Sequence, residues 1–390
     1  MLLRHISLSL LALSIACAPP TTDAIDAAIA RDAFSLDAAT SMIDASHPID
    51  AALPPLDANN RGTASDPIAM PLISRDVPAF ASSGMAAPAH DDQPTSCWSP
   101  SSMPAWIAYD LSSAHAADQL FVGWYAIHAP GWLSDATDAG QQIPTDYTIE
   151  INTAPSAASP PTAGWTQIAN VTGNAHGSRG LLASAAGANW IRMSITASSG
   201  GSNPCIDVDV HSAPSGASDS WLYMGDSITH ITFPYAFSDY RARTSMAESG
   251  RWPAIFEAAI GGTNTETALA AIDDTMADFQ GRYVVLAYGT NDHAASFHMN
   301  ELIDHVIASG RIPVVPHMPW SSGSPEGAQI NTSIDAIYAA RPEVLRGPDL
   351  WAAFEGRTDL IPVGDVHPND LGRDHLRQTW AEWLVALPHP

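Results

Sequence analysis

Two hydrophobic patterns divide the chain into an N-terminal and a C-terminal part. Between residues 61 and 214, short apolar runs are separated by segments rich in Gly, Pro, Ser and Asn. Many short strands at this spacing, with little helical periodicity, are typical of an all-β sandwich. The runs predict strands at residues 106–111, 119–126, 147–152, 165–171, 190–196 and 206–211.

The pattern changes after residue 218, where strand patterns alternate with helical ones. Strands are predicted near Leu222, Val285 and Val314. Because strands that alternate with helices form parallel sheets covered on both faces, residues 218–390 are predicted to fold as a three-layer α/β/α domain. The helical patterns lie at residues 252–258, 266–279, 299–309 and 326–340, with a last one near the C-terminus.

The first residues have the features of an export signal. Arg4 and His5 precede an apolar run, residues 6–16, which is too short to span a membrane and ends in small residues. Cys17 follows directly, so residues 1–17 resemble a bacterial lipoprotein signal in which this cysteine carries the lipid. The protein is therefore predicted to be a lipoprotein of the bacterial cell envelope, at the outer membrane. Cleavage after Ala16 by ordinary signal peptidase, which releases a secreted protein, is the alternative.

Residues 18–60 keep returning to the dipeptide Asp-Ala at irregular intervals, interrupted by prolines. The carboxylates repel one another, and the spacing does not build an apolar helix face. This segment is predicted to be a disordered linker between the signal and the β-sandwich of residues 61–214.

The charge balance excludes several classes of partner. The chain has 16 basic and 41 acidic residues, and every basic residue is Arg. A protein this acidic repels phosphate backbones, so nucleic acid is not an expected partner, and a lipid anchor is the expected membrane contact. The lack of Lys excludes Schiff-base and P-loop lysine chemistry, and no metal or nucleotide motif is present, so no cofactor and no metal are expected. The oligomeric state is left open.

Chemistry-bearing residues follow the predicted strands of the C-terminal part. Ser227 lies in Gly225-Asp226-Ser227, directly after a strand, and Asn291 follows the next long strand pattern. Gly262 lies between them, and His367 lies in a loop near the C-terminus. Acyl transfer needs a nucleophile, a base and donors for the oxygen that becomes negative. Ser227 is the candidate nucleophile, His367 the base, and the N–H groups of Ser227 and Gly262 with the Asn291 amide the oxyanion hole.

Four blocks of sequence carry these residues in the chain order Ser, Gly, Asn and His. The four blocks resemble the SGNH hydrolases, also called GDSL esterases, over nearly the whole C-terminal part. The resemblance implies a serine esterase that works through an acyl-enzyme. Members of that family usually carry Asp three residues before the histidine, whereas this chain has Gly364 there and Asp365 one position later. Asp365 is expected to orient His367, and the alternative is a Ser227–His367 dyad oriented by a backbone carbonyl.

The N-terminal part resembles discoidin-like, carbohydrate-binding jelly rolls in the order of its landmarks, from Tyr109 through Trp165 to Trp190. In that fold the first and last parts of the domain lie close together, which implies a disulfide between Cys97 and Cys205. An even pair of cysteines outside the cytoplasm agrees with this. Four aromatic residues are expected either to stack on sugar rings or to fill the core, namely Trp98, Trp124, Tyr125 and Trp132.

The export signal and the likeness to sugar-binding folds favour an acetylated carbohydrate as the substrate, with O-deacetylation as the reaction. A lipid or simple acyl ester is the second hypothesis. A sugar-binding surface lipoprotein without catalysis is the third, and it leaves the four blocks unexplained.

Overall fold

The computed structural model describes residues 66–91, 97–114, 118–126, 142–200, 203–233 and 251–388. The predicted signal with Cys17, the linker of residues 18–60 and Trp132 lie outside the described residues. The described residues belong to one compact unit, Pro55–Pro390. Within them, no helix has both the length and the apolar character needed to cross a membrane.

The N-terminal part is a β-sandwich, as predicted. One antiparallel sheet has the order β1-β2-β7-β4-β5, and the other has the order β6-β3-β8. The strands are β1 (Ala79–Ala81), β2 (Ala105–Asp110), β3 (Gln119–Ala126), β4 (Pro144–Asn152), β5 (Thr166–Val171), β6 (Ser178–Ser184), β7 (Trp190–Ser198) and β8 (Ile206–Ser212). The patterns predicted six of these eight strands, and β1 and β6 were missed.

Strand β3 contributes to two cores at once because successive side chains point to opposite faces of a sheet. Leu120, Val122 and Trp124 belong to the core between the two sheets of the sandwich. Phe121 and Tyr125, on the other face, belong to the core of the C-terminal part. The three-stranded sheet is therefore covered on both faces.

The C-terminal part is a parallel five-stranded sheet with helices, which confirms the predicted α/β class. Its strands are β9 (Ser220–Gly225), β10 (Ala254–Glu257), β11 (Tyr283–Ala287), β12 (Ile312–Val315) and β13 (Leu345–Arg346), in the order β10-β9-β11-β12-β13. The described helices are α1 (Ser227–Thr232), α2 (Thr265–Leu269), α3 (Ile272–Ala277), α4 (Met299–Ala308), α5 (Gly327–Ala340), α6 (Leu350–Phe354) and α7 (Asp370–Ala386). Helices α1 and α6 contact α7, whereas α2 and α3 contact α4, so these helices form two groups.

The helix predicted at residues 252–258 is wrong, because this segment contains strand β10. Ala254 pairs with Ser220, and Glu257 pairs with Tyr223, in parallel with β9. All four residues of β10 are buried, so the run has no periodicity that separates a short buried strand from a helical turn. The helix predicted at residues 266–279 consists of two short helices, α2 and α3.

The two parts of the chain pack against each other through Phe256 of β10. Gly123 and Gly180 are cross-strand neighbours in the sandwich. A Cβ atom on Gly180 would lie 2.7 Å from the Phe256 ring, and one on Gly123 would lie 3.2 Å from it. The two glycines therefore form a notch that receives the ring, which also stacks on Tyr125 with 5.4 Å between centroids.

Charged groups continue this contact. Asp278 accepts hydrogen bonds from Arg179 (2.6 Å) and pairs with His176 (2.9 Å), both in the sandwich. The described structure thus joins the sandwich to the α/β part by apolar and ionic contacts.

Most of the aromatic residues proposed for sugar stacking are buried. Trp98 and Trp124 are fully buried, and Tyr125 is 6% exposed. The core-filling alternative therefore holds for these three, and sugar stacking is excluded for them. Cys97 and Cys205 are bonded, with their Cα atoms 5.3 Å apart. Beside them, Trp98 and Ile206 exchange both backbone hydrogen bonds (3.0 Å each).

Candidate active site

The nucleophile candidate lies where β9 passes into α1. A Cβ atom on Gly225 would lie 2.8 Å from the Ala287 carbonyl oxygen, so the strand can end here only with glycine. Asp226 then caps α1, because its Oδ1 accepts the Ile228 N–H (2.9 Å). Ser227 is thereby held as the first residue of the helix, at the carboxyl edge of the sheet. The connection that leaves β9 leads to β10 on one side of the sheet, whereas the connection that leaves the adjacent β11 leads to β12 on the other side. Open α/β sheets bind ligands at such switch points.

The structure brings Ser227, His367 and Asp365 together in a chain of contacts. Ser227 Oγ lies 2.9 Å from His367 Nε2. On the other side of the ring, His367 Nδ1 lies 3.1 Å from Asp365 Oδ1. The side chains of His367 and Asp365 are about half exposed, at 46% and 49%. The aspartate one position away from the family pattern therefore reaches the imidazole.

The reach of Asp365 depends on a tight turn. Gly364 has φ +81°, a left-handed conformation that favours glycine. After it, Asp365 Oδ1 accepts the N–H groups of Val366 (2.7 Å) and His367 (3.0 Å). These donors, with the His367 ring, hold the pKa of Asp365 below its ordinary value. One oxygen thus serves two backbone amides and the imidazole.

The oxyanion candidates lie on two loops beside Ser227. Gly262 has φ +77°, and a Cβ atom on the preceding Gly261 would lie 3.9 Å from Ser227 Cβ. The loop is tied to the end of β9, because Ile260 N–H donates to the Gly225 carbonyl (3.0 Å). Asn291 Nδ2 donates to the Thr263 carbonyl (2.9 Å), which fixes the plane of the amide. An amide nitrogen has two donors, and this bond uses one of them.

Two buried carboxylates, Asp226 and Asp292, hold these loops. Burial raises the pKa of Asp226 to about 6, against hydrogen bonds from the Ile228 N–H and the Thr290 hydroxyl. Asp292 accepts the Thr265 N–H (3.0 Å) and its hydroxyl, and burial raises the pKa of this carboxyl too. Sequence reasoning missed Asp292, although its place directly after Asn291 was a signal.

Three further histidines near the predicted site pair with other carboxylates. His293 contacts Glu326 (3.0 Å), and His230 lies 3.5 Å from Glu257. His317 lies between Asp335 and Asp349, 3.1 Å from each. Burial lowers the pKa of His317, but the two carboxylates outweigh burial and raise it overall. These contacts engage the three histidines with carboxylates other than Asp365.

No family model matches the chain, and no curated protein matches it. Similar solved structures include a lipase/acylhydrolase from Enterococcus faecalis, 21% identical, covering 44% of this chain and 98% of its own, with a TM-score of 0.37. A psychrotrophic esterase from Pseudoalteromonas sp. is 17% identical, covering 43% and 99%, with a TM-score of 0.35.

A second group of similar structures aligns with a smaller share of the chain. It includes chitosan-binding module 1 of a chitosanase/glucanase from Paenibacillus sp., 19% identical, covering 36% of this chain and 97% of its own, with a TM-score of 0.27. The similar structures thus form two groups, GDSL-like lipases and acylhydrolases in one and chitosan-binding modules in the other.

Proposed function

We propose that this protein is an exported serine esterase that hydrolyses esters through an acyl-enzyme, and that its substrate is an acetylated carbohydrate. The observation that carries the esterase proposal is the chain of contacts from Ser227 through His367 to Asp365. Two donor-bearing loops flank the same serine.

The geometry supports each proton transfer of ester hydrolysis. With Nδ1 protonated and donating to Asp365, the free Nε2 accepts the Ser227 proton as Oγ attacks the ester carbonyl. The carbonyl oxygen becomes negative, and the proposed donors to it are the N–H groups of Ser227 and Gly262 with the Asn291 amide. The imidazolium then gives its proton to the departing alcohol oxygen. Water attacks the acyl-enzyme with the same base, which releases the carboxylic acid and restores Ser227.

The exposure of the site supports a large alcohol group on the substrate. The His367 side chain is about half exposed, so an alcohol that takes its proton would leave from near the protein surface, where a polymer chain has room. The carbohydrate assignment rests further on the resemblance of residues 61–214 to sugar-binding folds. A role of this sandwich in sugar binding belongs to the same proposal.

A lipid or simple acyl ester is the second candidate, and two exposed apolar side chains favour it. Val363 is 78% exposed and Leu371 is 65% exposed. They lie four residues to either side of His367 in the chain. Exposed apolar groups on both sides of His367, one in its loop and one at the start of α7, suit an acyl chain or a lipid surface better than a sugar.

The cell-envelope location and the lipid on Cys17 are part of the proposal and rest on the sequence of residues 1–17. Mass spectrometry of the N-terminal peptide from membranes of an expressing bacterium tests both. An acylated Cys17 supports the lipoprotein, and a chain that begins directly after Ala16 without a lipid supports secretion.

The substrate experiment measures acetate released from acetylated glycans beside hydrolysis of acyl esters of increasing chain length. Ser227→Ala should abolish hydrolysis of every ester that the parent cleaves. Ser333→Ala, at a partly exposed serine of α5 whose hydroxyl donates to the Gln329 carbonyl, is the matched control and should keep full activity. A parent that cleaves none of these esters, and whose Ser227 does not react with a fluorophosphonate probe, would favour the non-catalytic sugar-binding protein.

A further inference from the structure

The loop between β12 and α5 contacts the backbone that carries the catalytic acid candidate. Ser322 Oγ accepts the Gly364 N–H (2.9 Å), although the two residues are 42 positions apart. The neighbouring Gly323 lies against the same turn. A Cβ atom on Gly323 would lie 2.5 Å from the Asp365 carbonyl oxygen and 3.0 Å from that of Gly364. The two stretches of backbone are therefore in direct contact.

We propose that Ser322 and Gly323 are positioning residues, which set the place of the Asp365 carboxylate against His367 through the backbone of the Gly364–Asp365 turn. This inference rests on the proposed esterase function and names two further residues of the same site. Neither residue touches the reacting atoms.

The exposure of Asp365 explains why such a support is needed. Its side chain is 49% exposed, so side-chain packing does little to fix the carboxylate. Its internal contacts join it to the next two residues of the same turn, so they hold the shape of the turn and leave its place in the molecule open. The contact with Ser322 and Gly323 comes from a different element of the fold. It fixes the turn relative to the sheet that carries Ser227.

Gly364, Ser322 and Gly323 each contribute differently to the position of the Asp365 turn. Gly364 gives the turn its shape through its positive φ, and Ser322 holds the N–H of that residue. Gly323 sets how closely the turn approaches, because glycine alone lets the two backbones touch. A larger residue at position 323 pushes the Asp365 backbone away, although the side chains of Ser227, His367 and Asp365 are themselves unchanged.

The test compares Gly323→Ala, Ser322→Ala and Ser322→Thr for kcat, KM and thermal stability on an activated acetate ester. Gly323→Ala should lower kcat by about tenfold or more, since small displacements of a catalytic group are costly, and should leave KM within about twofold. Ser322→Ala should lower kcat by about fivefold through the loss of one hydrogen bond. Ser322→Thr keeps the hydroxyl and should restore kcat.

Making the same changes in a protein that lacks the Asp365 carboxylate distinguishes a positioning role from a merely structural one. In an Asp365→Ala protein no carboxylate remains to be positioned, so Gly323→Ala and Ser322→Ala should change the residual kcat by less than about twofold. Gly84→Ala is the matched control, because its Cβ atom would also meet a backbone carbonyl oxygen, 2.5 Å from that of Ser99, in the sandwich. It should lower stability and keep kcat.

Unchanged kcat in both Gly323→Ala and Ser322→Ala would overturn the inference, as would the same loss in the Asp365→Ala background. If Gly323→Ala does not fold, the comparison of Ser322→Ala with Ser322→Thr decides between a positioning role and none. Failure of the proposed function is a separate result, since Ser227→Ala would then retain turnover whatever residues 322 and 323 do.

Discussion

Replacing Asp365 by Asn should be much less damaging here than replacing it by Ala, because of the way one carboxylate oxygen is used. Oδ1 accepts the Val366 N–H, the His367 N–H and the His367 ring (2.7, 3.0 and 3.1 Å). In Asp365→Asn the amide oxygen can take this place. Turning the amide round would set its NH2 group against two backbone donors, so we expect the oxygen to stay and the imidazole to keep its tautomer.

The expected loss therefore separates charge from orientation. The Asn variant loses only the negative charge that balances the imidazolium, and in a half-exposed site this should lower the acylation rate by about tenfold. The Ala variant also loses the acceptor that fixes the ring, and the loss should be about 10³-fold or more, toward the roughly 10⁴-fold loss of a triad with the wrong tautomer. The matched pair thus measures how much of the contribution of Asp365 is geometry.

The assay is the pre-steady-state burst of p-nitrophenol from p-nitrophenyl acetate, with circular dichroism to show that both variants are folded. Equal, large losses in the two variants would show that the backbone amides do not hold the amide oxygen, which refutes this reasoning. Losses below about fivefold in both would mean that Asp365 has no orienting role, and the dyad alternative would replace the triad.

Three further predictions concern stability. Phe256→Ala should lower the free energy of unfolding by about 3–5 kcal/mol, because the ring is fully buried in the notch of the sandwich. Urea titration followed by tryptophan fluorescence measures this loss, and a value below about 1 kcal/mol would contradict the packing. Unreduced protein should yield a Cys97–Cys205 peptide pair, and replacing both cysteines by Ser should cost about 3–5 kcal/mol, since the bond closes a loop of 108 residues; freely alkylated Cys97 in native protein would count against it. Burial raises the pKa of Asp226 from 3.8 to about 6 in the folded state. The free energy of unfolding therefore falls as the pH rises between these two values, and the loss is complete above about pH 6. Asp226→Asn keeps the cap on α1 and should therefore add up to about 3 kcal/mol at pH 7 and little at pH 4, and equal effects at both pH values would show that burial does not perturb this group.

The fold class followed from the hydrophobic pattern, because the strands of the two parts differ in how they are buried. Along β4, the buried Tyr147 and Ile149 alternate with less buried polar residues. The parallel strands are instead continuous apolar runs. Strand β6 was missed, since Gly180 and flanking polar residues weaken its pattern. Strand β10 was mistaken for a helix, because a fully buried run of four residues carries no period.

The candidate site divides in the same way. Ser227, Gly262, Asn291 and His367 lie in short motifs whose local turns bring them to one sheet edge, so a sequence pattern is enough to find them. Whether Asp365 reaches the imidazole depends on the positive φ of Gly364 and on two backbone amides, which a sequence does not specify. The contact of Ser322 and Gly323 with that turn has no sequence signal, because it joins backbone atoms of segments distant in the chain.

The notch formed by Gly123 and Gly180 has a consequence for dissecting the protein. Strand β10 lies at the edge of the parallel sheet and contacts β6 of the sandwich, with Phe256 seated between them. Edge strands with exposed apolar side chains associate with one another. A recombinant fragment that begins at residue 218 would uncover Phe256 together with the edge of β10, and we expect it to accumulate as insoluble aggregate. We therefore expect the sandwich to keep the α/β part from associating with other chains, by covering this apolar edge.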